Sequence, residues 1–184
     1  MNPARVLRQA AASIYTIFMA SAKENETLVA GQRAPDFRLA GLDNGEHTLV
    51  ELLKTGPVFL AFFKVSCPTC QYTLPFLERM YRGLGNDSAT RMFTVSQDDA
   101  EATREFNREY RLNMPALLDS ARNGYPASNA YGLSYVPSMF LIEPDGTIAW
   151  SLVGFHKKEL EALGRKLGVS PFRDGEQVPE MKSG

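Results

Sequence analysis

The pattern of apolar and polar residues predicts a buried strand that leads directly into an amphipathic helix. We predict a central strand at 58–64, because the apolar run at 58–63 has the length and aromatic content of a buried strand. Beyond it, Leu74, Leu77 and Tyr81 recur at helical spacing, which predicts one apolar helix face. Similar patterns predict further strands at 92–95, 116–118, 135–142 and 147–153, and helices that end near Tyr110, Tyr131 and Leu167.

The order of these elements predicts an α/β fold. Strands and helices alternate in the first half of the chain, which favours right-handed crossovers between parallel strands. Residues 143–146 have the composition of a hairpin turn, so the strands on either side of it should pair antiparallel. Another hairpin is expected near the start, where residues 37–39 and 47–50 flank a turn at 43–45. We therefore expect a mixed central sheet with helices on both faces.

Length and composition are those of one globular domain. The chain has 184 residues and a formal net charge of −1, which gives no basic field for binding nucleic acid. It contains no apolar run of the roughly 18 residues that a transmembrane helix needs. We expect an N-terminal extension at 1–30, the domain at 31–168, and a loosely ordered tail at 169–184 with scattered proline and glycine.

Two interpretations stay open for residues 1–22. Arg5 and Arg8 precede an apolar stretch that ends in the small residues 20–22, the outline of a secretory signal. Polar residues interrupt that stretch, however, and a modest amphipathic stripe favours an uncleaved surface helix. With a surface helix we expect a cytoplasmic protein, whereas a signal peptide would export the protein to the periplasm or the medium.

The only two cysteines of the chain, Cys67 and Cys70, lie where the central strand ends and the helix begins. The reactive form of cysteine is the thiolate, and the first turn of a helix favours negative charge through its unpaired N–H groups and its dipole. Cys67 is at the expected N-cap with Pro68 after it, so we assign Cys67 as the attacking thiol. Cys70, one turn further on the same face, is placed to resolve a mixed disulfide.

Two structural explanations compete with redox chemistry at this C-x-x-C pair. A zinc site needs four ligands, and the remaining candidates, His47 and His156, lie far apart in the sequence. Inert cysteines that pack as small apolar residues are the other explanation. The strand-then-helix context favours redox chemistry, with no metal and no bound cofactor. We attribute Asp98, Asp99 and Glu101 to helix capping rather than to metal binding.

Several motifs together resemble those of the thioredoxin-like superfamily. They are Cys67-Pro68-Thr69-Cys70 after the apolar strand, Pro75 within the helix, Val136-Pro137 at a later strand, and the opening Gly31-x-x-Ala34-Pro35-Asp36-Phe37. The opening motif resembles the redoxin branch, which contains the TlpA/ResA-type thiol–disulfide oxidoreductases and the AhpC/TSA peroxiredoxins. This resemblance implies a thioredoxin-like fold with a redoxin-type N-terminal hairpin and a central strand–helix insertion.

The resemblance also implies how partners are bound. Pro137 is expected to follow a cis peptide bond and to lie against the cysteine pair. The backbone of Val136 is expected to pair with an extended segment of a partner protein, with Pro68 and Thr69 also in contact with the substrate. The partners are then proteins that carry disulfides or dithiols, together with an unknown electron donor, while the oligomeric state is left open.

The chain departs from the family pattern where an acid normally takes the proton of the second cysteine. Ala61 occupies the position where thioredoxin has a buried Asp, and Thr73 the position where ResA-type proteins have an acid. Glu78 and water stay open as substitutes.

The peroxiredoxin pattern P-x-x-x-T-x-x-C is absent as well, since Leu60 and Lys64 occupy its Pro and Thr positions. That Thr helps to hold the peroxide, so we predict thiol–disulfide exchange ahead of peroxiredoxin-like antioxidant activity with Cys67 as peroxidatic cysteine. A further alternative, motivated by the missing acid, is a non-enzymatic module that keeps the fold and binds a partner beside Pro137.

Overall fold

The computed structural model describes residues 26–85 and 87–183, so the predictions for residues 1–22 lie outside the described residues. The strands are β1 (Arg38–Gly41), β2 (Glu46–Thr48), β3 (Val58–Phe63), β4 (Arg91–Ser96), β5 (Ala116–Leu118), β6 (Ser138–Ile142), β7 (Ile148–Val153), β8 (Phe155–His156) and β9 (Met181–Lys182). The α-helices are α1 (Leu49–Leu53), α2 (Pro68–Leu84), α3 (Ala100–Tyr110), α4 (Pro126–Ala130) and α5 (Lys157–Leu167).

A seven-stranded mixed sheet forms the centre of the domain, in the order β2-β1-β5-β4-β3-β6-β7. β3 pairs in parallel with β4, and β4 with β5, whereas β6 runs antiparallel to β3 and to β7. Every residue of β3 is buried, as expected for a central strand with both faces covered. The predicted α/β fold, with parallel strands first and an antiparallel hairpin after them, is confirmed.

Apolar side chains cover both faces of the sheet. One cluster packs α2 and α5 against the sheet and includes Leu77 and Phe59. The other cluster lies beneath α1 and α4 and includes Tyr131 and Leu60. Successive side chains of β3 enter opposite clusters, because neighbouring residues of a strand point to opposite faces. The sheet is therefore held between two layers of helices.

Helix α2 begins as predicted, with Cys67 as its N-cap and Pro68 in its first turn. Proline is tolerated there because the N–H that it lacks would have no partner. Pro75 lies inside the helix, as the family resemblance implies, and the helix continues to Leu84. Proline removes one backbone hydrogen bond, and burial of the apolar face, including Leu74, offsets that loss.

The segment after α5, which we expected to be a loosely ordered tail, packs back along α2. Arg79 donates to the Glu176 carboxylate through both terminal nitrogens, at 2.7 and 3.2 Å. The Phe172 ring lies 5.0 Å from the Phe76 ring, and β9 pairs antiparallel with β8. The local composition does not show these contacts, because the partners on α2 are distant in sequence. The boundaries at 31 and 168 stay a prediction.

Candidate active site

The two cysteines lie at the junction between the carboxyl end of β3 and the start of α2. Both are free thiols; Cys67 is half-buried, and Cys70 is fully buried. The backbone N–H of Cys70 donates to Cys67 Sγ across 3.2 Å. The first turn of α2 thus directs an N–H group that has no partner within the helix, and the positive end of the helix dipole, at one sulfur, which favours negative charge there.

The turn before β6 approaches the same sulfur. The Val136–Pro137 peptide bond is cis, as expected, and Cys67 Sγ donates to the Val136 carbonyl at 3.3 Å. Val136 is half-buried and Pro137 is buried. The Pro137 carbonyl accepts from the N–H of Gly154 at 2.8 Å, which ties this turn to the end of β7. The fold therefore brings Val136 and Pro137 beside Cys67, although they are distant in the sequence.

Cys70 is held in a different electrostatic environment. Burial raises the pKa of the Cys70 thiol far above that of an exposed cysteine, and its hydrogen bond with Cys67 acts in the same direction. The charges that Cys67 and Asp98 carry when they are ionised raise this pKa further, while a hydrogen bond with the Lys64 backbone opposes them. At neutral pH Cys70 is therefore a protonated thiol, which must lose its proton before it can attack a disulfide.

Glu78, left open above as the acceptor of that proton, has another role. Its buried carboxylate accepts from the backbone N–H groups of Asn113 and Met114, at 2.8 and 3.0 Å. The side chains of Asn113 and Arg82 donate to its other oxygen, at 2.9 and 2.7 Å. With both oxygens engaged, Glu78 holds the loop after α3 against α2, which disfavours it as the acceptor.

Asp98 is a residue of this region that the sequence analysis missed. We expected it to cap the following helix, but Asp99 is the N-cap of α3 and accepts from the Ala102 N–H at 2.9 Å. Asp98 instead accepts through Oδ2 from the backbone N–H of Val65, at 2.7 Å. The strand order is the signal that could have located Asp98. Because β3 and β4 are adjacent parallel strands, the loops after their carboxyl ends meet at one edge of the sheet.

The C-terminal strand borders the turn that carries the cysteines. The hydroxyl of Thr69, between the two cysteines, donates to the carbonyl of Ser183. The Lys182 ammonium lies 4.7 Å from the centre of the Tyr72 ring. Thr69, which we assigned to substrate contact, therefore has a partner within the chain, whereas Pro68 is exposed.

A cavity of about 500 Å³ lies at the other end of β4. Its lining includes His47 and Phe93, together with Arg91, the first residue of β4. The cysteines lie near the opposite end of that strand, where Ser96 is level with Phe63. This cavity is therefore separate from the cysteine pair.

Residues 26–85 and 87–183 contain neither a cluster of potential metal ligands nor a helix that could span a membrane. In these ranges no group of three or more His, Cys, Asp or Glu side chains is placed to hold a metal ion. His47, considered above as a zinc ligand, lies 3.2 Å from the Asp43 carboxylate in the N-terminal hairpin. Within the same ranges no helix is both long and apolar enough to cross a membrane.

Comparison with known sequences links the chain to thiol chemistry. The profile of the AhpC/TSA family matches residues 30–151. The chain is 28% identical over 160 residues to the thiol-disulfide oxidoreductase ResA of Geobacillus kaustophilus (strain HTA426), covering 86% of this chain and 89% of that protein. It is 29% identical over 140 residues to the thiol-disulfide oxidoreductase ResA of Bacillus subtilis (strain 168), covering 76% of each.

Solved structures share the fold. The thioredoxin domain of a thiol-disulfide oxidoreductase from Bacteroides vulgatus matches with a TM-score of 0.66 at 20% identity, over 76% of this chain and 98% of that one. The thioredoxin-like fold predicted from the sequence is thereby confirmed. Residues 30–151, which match the family profile, contain both cysteines and the cis proline. The chain therefore belongs to the AhpC/TSA family.

Proposed function

We propose that the protein is a thiol–disulfide oxidoreductase that exchanges a Cys67–Cys70 dithiol or disulfide with partner proteins. The observation that carries this proposal is the asymmetry of the pair. One sulfur is half-buried at a helix N-terminus, and the other is a buried thiol one turn behind it. Such an arrangement separates attack from resolution. The ResA relatives, which are named thiol-disulfide oxidoreductases, support the proposal.

When a partner is reduced, Cys67 attacks as a thiolate. Its sulfur bonds to one partner sulfur, and the S–S bond of the partner breaks to release a thiolate. The Cys70 sulfur then bonds to that of Cys67, and the mixed disulfide breaks, so the partner leaves reduced while this chain is oxidised. The reverse sequence oxidises a partner dithiol. The Cys70 N–H, 3.2 Å from Cys67 Sγ, favours negative charge on that sulfur in both directions.

The surface beside the cis proline suits an extended segment of a protein. Tyr135 and Val153 are 63% and 36% exposed. Both lie next to Pro137, since Val153 pairs with Ser138 at the start of β6. Exposed apolar side chains beside a reactive sulfur favour a protein chain as partner. We infer that Val136 and Pro137 shape this docking surface.

A redox titration of the purified protein tests the proposed function. The protein is equilibrated in glutathione or dithiothreitol buffers of graded potential, and the Cys67–Cys70 disulfide is followed by mass. We expect a reversible transition between about −270 and −120 mV, the range of known dithiol proteins. A midpoint near the lower limit indicates a reductant, and one near the upper limit an oxidant. The absence of any reversible transition would overturn the proposal and favour the non-enzymatic binding module.

Thiol peroxidase activity is a second candidate, favoured by the match to the AhpC/TSA family and by the half-buried position of Cys67. Against it, Leu60 is fully buried in the sheet and the exposed Lys64 follows β3, so neither position supplies a hydroxyl for peroxide. Fast consumption of hydrogen peroxide, with sulfenic acid at Cys67, would favour the peroxidase. Slow consumption alongside reversible dithiol oxidation would favour thiol–disulfide exchange.

A further inference from the structure

We propose that Asp98 accepts the proton of Cys70 when Cys70 resolves the mixed disulfide. The inference rests on the proposed function, because it concerns the second half of the exchange at the same cysteine pair. Cys70 is a buried thiol, and a thiol becomes a nucleophile only when its proton leaves. The proton therefore needs an acceptor close to this turn of the chain.

Asp98 approaches the cysteines from the neighbouring strand. It follows β4, which ends level with β3. Its Oδ2 accepts from the Val65 N–H at 2.7 Å, and the Gln71 side chain donates to the Val65 carbonyl at 2.9 Å. Val65, two residues before Cys67, is thus held at both of its backbone groups. The hydrogen bond from Val65 keeps the Asp98 carboxylate beside the turn that carries both sulfurs.

The other side chains considered for this role lack a basic group or are engaged elsewhere. Ala61 has no polar side-chain atom, and the Thr73 hydroxyl donates to a carbonyl of its own helix at 2.7 Å. Both oxygens of Glu78 accept hydrogen bonds from the loop after α3. Among the described residues only Val65 donates to Asp98, through Oδ2, so Oδ1 is available to take a proton.

The charges near Cys70 also distinguish Asp98. Within the described part of the chain, the ionisable side chains whose charge raises the pKa of this thiol are Cys67, on the same turn, and Asp98, from the loop after β4. Lys64 acts through its backbone, since its side chain is exposed, and the Asp99 carboxylate caps α3. A carboxylate that stays negative disfavours a thiolate beside it. A carboxylate that takes the proton becomes neutral as the thiolate forms, and the repulsion disappears.

The proposed step balances in atoms and electrons. The S–H bond of Cys70 breaks, and its proton passes to the Asp98 carboxylate while the electron pair stays on sulfur. That sulfur bonds to the sulfur of Cys67, and the bond between Cys67 and the partner sulfur breaks. The partner leaves as a thiolate, and Asp98 returns the proton to that thiolate or to water.

Stopped-flow reaction of the reduced protein with the chromogenic disulfide dithionitrobenzoate separates the two halves of the exchange. The first coloured thiol is released when Cys67 attacks, and the second when Cys70 resolves the mixed disulfide. Wild type is compared with D98N, D98A and D99N across the neutral pH range. Asn at position 98 keeps an oxygen for the Val65 N–H but takes up no proton, and D99N removes the adjacent charge as the matched control.

We expect D98N to slow the second release roughly a hundredfold, the lower end of what a positioned general base contributes, and to make it rise steeply with pH. The first release and the D99N rates should stay close to wild type. If D98N released the second thiol as fast as wild type or faster, the inference would be overturned. That result would mean that Asp98 acts on Cys70 only by repelling its thiolate. A defect in D98A that D98N does not share would also overturn the inference. A wild-type protein without any second release would instead overturn the proposed function.

Discussion

The Sγ atom of Cys67 lies 3.2 Å from the backbone nitrogen of Cys70, at the first turn of α2. The same sulfur lies 3.3 Å from the carbonyl of Val136, whereas Cys70 is fully buried behind it. A partner reaches the half-buried sulfur first, because the other has no exposed surface. The two thiols are therefore expected to have separate roles that they cannot exchange.

Single substitutions of the cysteines should have opposite consequences. C67S removes the nucleophile, so we expect neither a covalent complex nor reduction of a disulfide-containing protein. C70S leaves the attack intact but prevents resolution, so a mixed disulfide with the partner should accumulate. Non-reducing electrophoresis and mass analysis of the trapped bond measure both effects, with C67S/C70S as the background. Equal trapping by the two single variants would contradict this division of roles.

The stability of the reduced protein should fall in alkaline solution because of Cys70. Burial raises the pKa of this thiol, so the folded chain keeps a proton that the unfolded chain releases above about pH 8.5. The contribution of Cys70 to the free energy of unfolding is therefore fully present below that pH. Above it, the free energy of unfolding should fall by about 1.4 kcal/mol per pH unit. Urea unfolding in the presence of a phosphine reductant, repeated at several pH values, measures the slope.

The control for this pH dependence is C70A, which should lose the slope between about pH 8.5 and 10. Burial also raises the pKa of the Tyr131 hydroxyl, so a second proton contributes above about pH 10, and Y131F should remove that part. Identical slopes for wild type and C70A below pH 10 would show that Cys70 titrates normally in the folded protein.

Glu78 should matter for stability rather than for the exchange reaction. E78A leaves the N–H groups of Asn113 and Met114 without their acceptor, and we expect a loss of about 2–4 kcal/mol of unfolding free energy. The exposed Glu105 on α3 supplies the control, since E105A should change stability by less than about 0.5 kcal/mol. The second thiol release of E78Q should match wild type, and a marked slowing would return Glu78 to consideration as proton acceptor.

The C-terminal strand should protect an amide of the last helix from hydrogen exchange. The Lys157 N–H donates to the Glu180 carbonyl at 2.9 Å, so a chain that ends at Val178 loses this bond. We expect faster exchange at Lys157 in that shortened chain, measured by mass spectrometry, because the amide becomes open to water. The Gly154 amide, bonded to Pro137, is the internal control. Equal exchange at Lys157 in both chains would agree instead with the loosely ordered tail expected from the sequence.

Much of the fold was predictable because its pattern is local. The apolar residues of β3 and the recurring leucines of α2 are neighbours in the sequence, and the buried faces require them at those spacings. The N-cap position of Cys67 follows from the same pattern. The tail was not predictable in this way, because Glu176 and Phe172 find their partners, Arg79 and Phe76, on a helix far back in the chain.

The sequence by itself determined which side chains carry the chemistry: a C-x-x-C pair at a strand–helix junction and a proline before a later strand. Only the tertiary structure decided what faces them. Glu78 is near the cysteines in the sequence, yet its carboxylate binds the loop after α3. Asp98 is more distant in the sequence, yet its carboxylate binds Val65, two residues before Cys67. The choice between them depends on strand register and side-chain direction, because contacts between distant residues are set when the sheet assembles.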